Sequence, residues 1–318
     1  MSAMAPPRPC PASGLHILRR RMLKVLLTRA LTAALAGLAL APAAASAGIF
    51  FPEKGGSENA DKIWTLYLLI FVLAWIVFLG VAGALVWALF KFRARKGLVA
   101  AQIHGNTRLE IGWTVGAGVI LIFITIFTFI MLPGIKNPPA SMIDENGNPV
   151  TASNVLYAST DQPAPPKGSA SLPLRVDGQQ YVWRYQYPKQ GDLPEIFSYV
   201  DMVVPVGMTV TLDITADDVI HSWWIPKLGG KMDAIPGYTN KTWFQIPESA
   251  IPEGENQVVY HGQCAELCGR NHANMLGRVI GMRYPDYKAW VERKATEIKT
   301  ARKQAAKTRE QIDKQNAE

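Results

Sequence analysis

Cys264, Cys268, His272 and Met275 fall within twelve residues of one another, and a second imidazole, His221, lies 43 residues before Cys264. Soft sulfur and imidazole donors in this combination select copper or zinc over magnesium or calcium. The thioether favours copper, to which methionine is a common weak ligand. Gly262 and Gly269 bracket the two cysteines and permit sharp bends of the chain around them. A disulfide between Cys264 and Cys268 suits an oxidising compartment but explains neither histidine nor Met275. A Cys2His2 zinc site uses the four strong donors and leaves Met275 without a role. Mononuclear blue copper takes one thiolate, two histidines and an axial methionine. The second thiolate here suits two copper ions bridged by both sulfurs.

Several elements must bring these donors together. Short segments of β-type content at 179–187, 198–206, 208–215, 219–225, 240–247 and 256–262 are separated by turn-formers such as Pro205-Val206-Gly207 and Pro252-Glu253-Gly254. Six or seven short strands in this span predict a β-sandwich, with His221 on a different strand from the sulfur loop. Before it, residues 136–173 are rich in Pro, Ala, Ser and Gly and predict a polar linker without a packed element. Ile63 to Phe90 and Ile111 to Leu132 are free of charged residues. Each exceeds the roughly 20 residues that cross a bilayer. Lys91, Arg93, Arg95, Lys96 and Arg108 lie between them and place that loop in the cytoplasm, so both ends of the hairpin face outward. Arg19, Arg20, Arg21, Lys24 and Arg29, followed by the apolar run Leu31–Leu40 and by Ala45-Ser46-Ala47, predict a signal peptide over 1–47. That segment also carries Cys10. The expected organisation is therefore a signal peptide at 1–47, a hairpin at 48–135, a linker at 136–173, a β domain at 174–287 and a polar, solvated helix or tail at 288–318.

The formal net charge of the chain is +8, but residues 137–287 hold 10 Lys+Arg against 16 Asp+Glu, a net of −6. A basic total would suggest nucleic acid; an acidic globular part excludes that partner and instead speeds encounter with a basic protein.

The hairpin, the aromatic segment Tyr181-Val182-Trp183-Arg184-Tyr185-Gln186-Tyr187, the segment His221-Ser222-Trp223 and the loop Cys264-x-Glu266-x-Cys268-Gly269-x-x-His272-x-x-Met275 together resemble subunit II of the haem–copper cytochrome c oxidases. The resemblance implies an all-β cupredoxin-like Greek-key sandwich preceded by a two-helix transmembrane hairpin. It implies a dinuclear CuA centre bridged by Cys264 and Cys268, with His221 and His272 each binding one copper, and Met275 and the main-chain carbonyl of Glu266 completing the set. The Glu266 carboxylate is then expected to help bind magnesium at the contact with subunit I, a hard donor for a hard ion. Tyr181 and Trp183 are the expected points of electron acceptance from cytochrome c, and Glu110 the entrance of a proton path. Two positions depart from the family: Tyr181 stands where many members have tryptophan, and Tyr238 where arginine is common. His261 is expected to be structural or exposed.

The implied partners are the haem-bearing subunit I, subunit III, cytochrome c and membrane lipid, in a bacterial inner membrane with the copper domain on the periplasmic side. No Cys-x-x-Cys-His occurs, so no c-type haem is expected in this chain. The implied activity is electron relay to haem in subunit I for oxygen reduction coupled to proton pumping. Three alternatives share parts of the pattern. A quinol oxidase subunit II shares hairpin and sandwich but lacks the copper ligands; nitrous-oxide reductase shares the loop but not the hairpin; a copper-delivery or storage module needs no haem-bearing partner.

Overall fold

The computed structural model describes residues 51–317 apart from 95, 96, 98, 100, 101, 103, 151–167 and 190. The signal-peptide segment expected at 1–47 lies outside the described residues. Helix α1 spans Glu58–Lys91 and α2 spans Thr107–Lys136. Both run beyond the charge-free stretches because polar residues extend their ends. Glu58 and Asp61 occupy the first turn of α1, where the helix dipole favours negative charge. At the start of α2, the Asn106 side chain accepts from the Leu109 N–H (3.2 Å) and the Glu110 carboxylate accepts from the Asn106 N–H (3.3 Å). At 1.5 Å per residue the helices are about 51 and 45 Å long, more than the roughly 30 Å hydrocarbon layer. Both are long and apolar enough to cross a membrane, and neither buries its apolar stretch within the chain.

The β domain comprises β1 Leu172–Gln179, β2 Val182–Gln186, β3 Phe197–Tyr199, β4 Asp201–Pro205, β5 Thr209–Ala216, β6 His221–Trp223, β7 Met232–Ala234, β8 Asn240–Gln245, β9 Gln257–Gln263 and β10 Leu276–Met282. One sheet has the order β3-β2-β1-β5-β8, a second has β4-β10-β9, and β6 pairs with β7. β1 runs parallel to β5 and β4 parallel to β10; the other pairings are antiparallel. The chain is thus a cupredoxin-like sandwich preceded by two apolar helices, as the pattern implied. Alternation drives the packing: Val210, Leu212 and Ile214 on β5 and Trp183 and Tyr185 on β2 are buried, while their neighbours point away. Each such aliphatic side chain stabilises the fold by about 1.5–3 kcal/mol on full burial.

The strands, the linker and the last helix each differ in part from the sequence expectation. β1 and β10 lie outside the anticipated strands; Pro173 and the linker composition mask the first, and Gly277 and Gly281 the second. Residues 137–150, expected as unpacked linker, are held against the sandwich. The buried Ser141 hydroxyl donates to Ala170 O (2.6 Å) and accepts from the Thr209 N–H (2.8 Å), and the Thr209 hydroxyl donates to Pro139 O (2.9 Å). Hydroxyls and carbonyls that looked like solvated polar composition are satisfied inside the protein. Finally, α3, Tyr284–Ala317, is solvated only in its second half. Tyr287, Val291, Ala295 and Ile298 recur every three or four residues and bury one face of its first half against the core.

The hairpin is fastened to the sandwich through β8. Ser57 Oγ accepts from the Gln245 N–H (3.0 Å), Asn59 Nδ2 donates to Trp243 O (2.9 Å), and Trp243 Nε1 donates to the carbonyls of Ile135 (3.1 Å) and Lys136 (3.0 Å). One strand therefore holds the outer ends of both helices.

Candidate metal centre

The loop between β9 and β10 carries the sulfur donors, and β6 opens on His221. Main-chain bonds fix their approach. Cys264 N donates to Met275 O (2.9 Å) and closes the loop, while Gln263 N and Ala265 N donate to Trp224 O (3.1 Å) and Ser222 O (2.9 Å), stitching it alongside β6. Gly262 is required here, because a Cβ would stand 2.1 Å from Trp224 O. A short 3-10 turn at His272–Asn274 then returns the chain toward β10.

These constraints bring the donors into one cluster. Cys264 Sγ lies 3.9 Å from His221 Nδ1 and 3.9 Å from Cys268 Sγ. Cys268 Sγ lies 3.6 Å from His272 Nδ1 and 3.9 Å from Met275 Sδ. The Glu266 carbonyl oxygen is 3.2 Å from Cys264 Sγ. His221, Cys264, Cys268 and Met275 are all buried; His272 is half-buried. Both cysteines are free, and their sulfurs are about twice as far apart as the roughly 2.05 Å of a disulfide. The ligand atoms of His221, Cys264 and Cys268 lie within 4.8 Å of one another, a spacing that suits a shared cation.

Burial and the adjacent Cys264 push the Cys268 thiol up to about 11. A thiol raised in this way keeps its proton in the metal-free protein, and a cation bound beside it would displace that proton.

The imidazole at 221 is oriented from behind. Its Nε2 meets Asp218 Oδ1 at 2.8 Å, which leaves Nδ1 facing the sulfurs. Partial burial raises the Asp218 carboxyl, but the bonds from His221 and from the Gln180 and Val219 N–H groups outweigh it and hold the group below the usual carboxylate range. Asp218 carries no donor motif of its own; its place three residues before His221 is the only sequence sign of its role. Trp183 packs edge-to-face on His221, with ring centroids 5.9 Å apart. Gly178 makes room for both rings, since a Cβ there would lie 3.0 Å from Trp183 Cζ3 and 3.1 Å from His221 Cδ2.

Trp183 is interior, so of the two aromatic candidates only Tyr181, half-buried, reaches toward the surface. Its hydroxyl stands 2.7 Å from where a Cβ on Gly269 would be, directly beside Cys268. The Glu266 side chain is exposed, as are His261 and Tyr238. Glu110 is not part of the cluster: it caps α2 at the end of that helix remote from β8.

The profile described as "Cytochrome C oxidase subunit II, periplasmic domain" matches residues 197–281, and that described as "Cytochrome C oxidase subunit II, transmembrane domain" matches 44–131. A probable cytochrome c oxidase subunit 2 of Rickettsia bellii is 32% identical over 259 residues, covering 76% of this chain and 82% of the relative. The chain belongs to the cytochrome c oxidase subunit II family.

A cytochrome c oxidase subunit 2 of Alkalihalophilus pseudofirmus is 30% identical over 249 residues, 76% of this chain, which spans 63% of that relative. Among solved structures, the periplasmic domain of subunit II of cytochrome oxidase from Bradyrhizobium japonicum is 30% identical and covers 41% of this chain and 96% of its own. Its TM-score of 0.35 is too low to bear on the fold, which rests on the strand pairing above.

Proposed function

We propose that this subunit II accepts electrons from a reduced cytochrome c at a dinuclear copper centre and passes them to haem in subunit I of an oxidase complex, which reduces oxygen and pumps protons. The observation that carries the reading is the convergence of His221, from a separate strand, on Cys264 and Cys268. His221, Cys264, Cys268, His272 and Met275, with the main-chain carbonyl of Glu266, are the groups that would hold the two copper ions, which when bound would supply one-electron transfer.

The chain's own residues do the rest. Burial of Met275, His221 and both cysteines excludes water, so little solvent reorganises when charge arrives. Asp218 fixes the tautomer and direction of His221. Tyr181, at the rim and beside Gly269, is the aromatic residue through which a docked donor communicates with Cys268. Trp183 acts from inside as packing for His221. The net charge of −6 over 137–287 attracts a basic donor and raises its association rate. The exposed Glu266 carboxylate is available to a magnesium ion at the subunit I contact, and Glu110, at the opposite end of α2, to a proton path in that subunit. We place the hairpin in a bacterial inner membrane beside subunits I and III, with the sandwich on the periplasmic side, after removal of 1–47.

The test is to load the full-length chain in detergent with copper and record its EPR spectrum. The expected hyperfine pattern is that of one unpaired electron shared equally by two copper nuclei. A colourless protein holding a single zinc ion per chain overturns the proposal.

A further inference from the structure

Gln180 lies in the turn between β1 and β2, next to Tyr181 and outside the donor motif. It nevertheless touches both ligand-bearing segments. Its main-chain N–H donates to Asp218 Oδ2 (2.7 Å), and Asp218 holds His221. Its side-chain amide donates to the carbonyl of Cys268 (2.6 Å). A single residue thus bridges the carrier of the imidazole and the carrier of the bridging sulfur. The approach is close: a Cβ on Gly269 would stand 3.0 Å from Gln180 Nε2. Gly269 has φ +132°, a conformation in which the chain has no side chain to brace it. Next to such a pivot, a bond to the preceding carbonyl is what fixes the direction of Cys268.

We propose that Gln180 is a positioning residue for the metal centre, its amide holding the Cys268 carbonyl so that the thiolate already faces Cys264 and His221 before metal arrives. Donors held in place by outer hydrogen bonds bind metal more tightly than donors that must be ordered on binding. The same contact keeps Tyr181 in register over Gly269, so the rim aromatic and the bridging sulfur move together. Because Gln180 is itself exposed, its bond is weaker than a fully buried one, and the effect of losing it is modest. The inference rests on the copper reading above for its metal arm but not for its metal-free arm.

The experiment compares the full-length chain with Gln180→Met, which keeps length but has no donor, and Gln180→Glu, which keeps shape and loses the amide N–H. Two rates are read: alkylation of the Cys268 thiol in the metal-free chain, resolved from Cys264 by mass spectrometry, and copper loss to a chelator in the loaded chain. The EPR spectrum is recorded alongside, with thermal unfolding of the metal-free chain as the folding control. Both variants are expected to lose copper and to alkylate about five- to tenfold faster, with a shifted hyperfine pattern and an unchanged unfolding temperature. Wild-type rates and spectrum in both variants overturn the proposal. So does a defect in Gln180→Met alone, which marks a filler of space and not a donor. If the wild-type chain forms no copper pair, the copper reading falls, while the alkylation rates still decide the role of Gln180.

Discussion

Two buried polar regions of this molecule are built on opposite terms. Where the sandwich meets the hairpin, Ser57, Asn59, Ser141, Thr209, Trp243 and Gln245 have each found a hydrogen-bond partner, and all of them are neutral. At the other region, His221, Cys264, Cys268 and Met275 are just as dry, but the contacts among their donor atoms run through sulfur at 3.9 Å and are longer and weaker than the bonds at the junction. A satisfied network specifies how two parts of the chain meet. A convergence of soft donors held only by weak sulfur contacts leaves their lone pairs open to a soft cation, which is why it is the candidate metal centre.

The contrast is broken most sharply at the sulfurs. Cys268→Ser is expected to abolish the copper EPR signal outright, because a hydroxyl neither bridges two soft ions nor ionises readily; a retained signal removes the bridging role. Next in size is the support of His221. Asp218→Ala leaves the imidazole Nε2 without its carboxylate and should weaken copper retention about 10- to 100-fold, measured by competition with a chelator.

The junction should respond the other way. Thr209→Val deletes the hydroxyl that joins Pro139 to Gln245, and an expected loss of about 1–3 kcal/mol in unfolding stability should leave the copper spectrum untouched. A changed spectrum there shows that the two regions are coupled. The smallest contrast lies within α3. Ile298→Ala should cost about 2–5 kcal/mol of stability, the range for a buried aliphatic truncation. Ile312→Ala, half exposed on the same helix, should change it by less than about 0.5 kcal/mol.

How far the sequence could be read follows from the range of each interaction. The two apolar helices were legible because composition alone decides them over twenty or more consecutive residues. The donor loop was legible because four ligands fall within twelve positions. The buried half of α3 was present in the sequence as Tyr287, Val291, Ala295 and Ile298, but the Lys and Glu residues between them obscured the stripe. β1 was missed although Leu172, Leu174 and Val176 alternate, since a strand paired on both sides is recognised by its partners and not by its own residues. Asp218 and Gln180 carried no motif, and a carboxylate or amide reveals its task only when the group it orients is seen across the gap.

The sequence by itself determined which atoms can bind soft metal, which stretches can enter a bilayer, and where the acidic surface lies. These are properties of residue type and local spacing. Tertiary structure alone decided that His221 meets the sulfur loop with Nδ1 forward, that Trp183 is inside while Tyr181 reaches the rim, and that β8 clasps both helices. Those outcomes depend on strand register and on bonds between residues far apart in the chain, and register is settled only when the whole core packs.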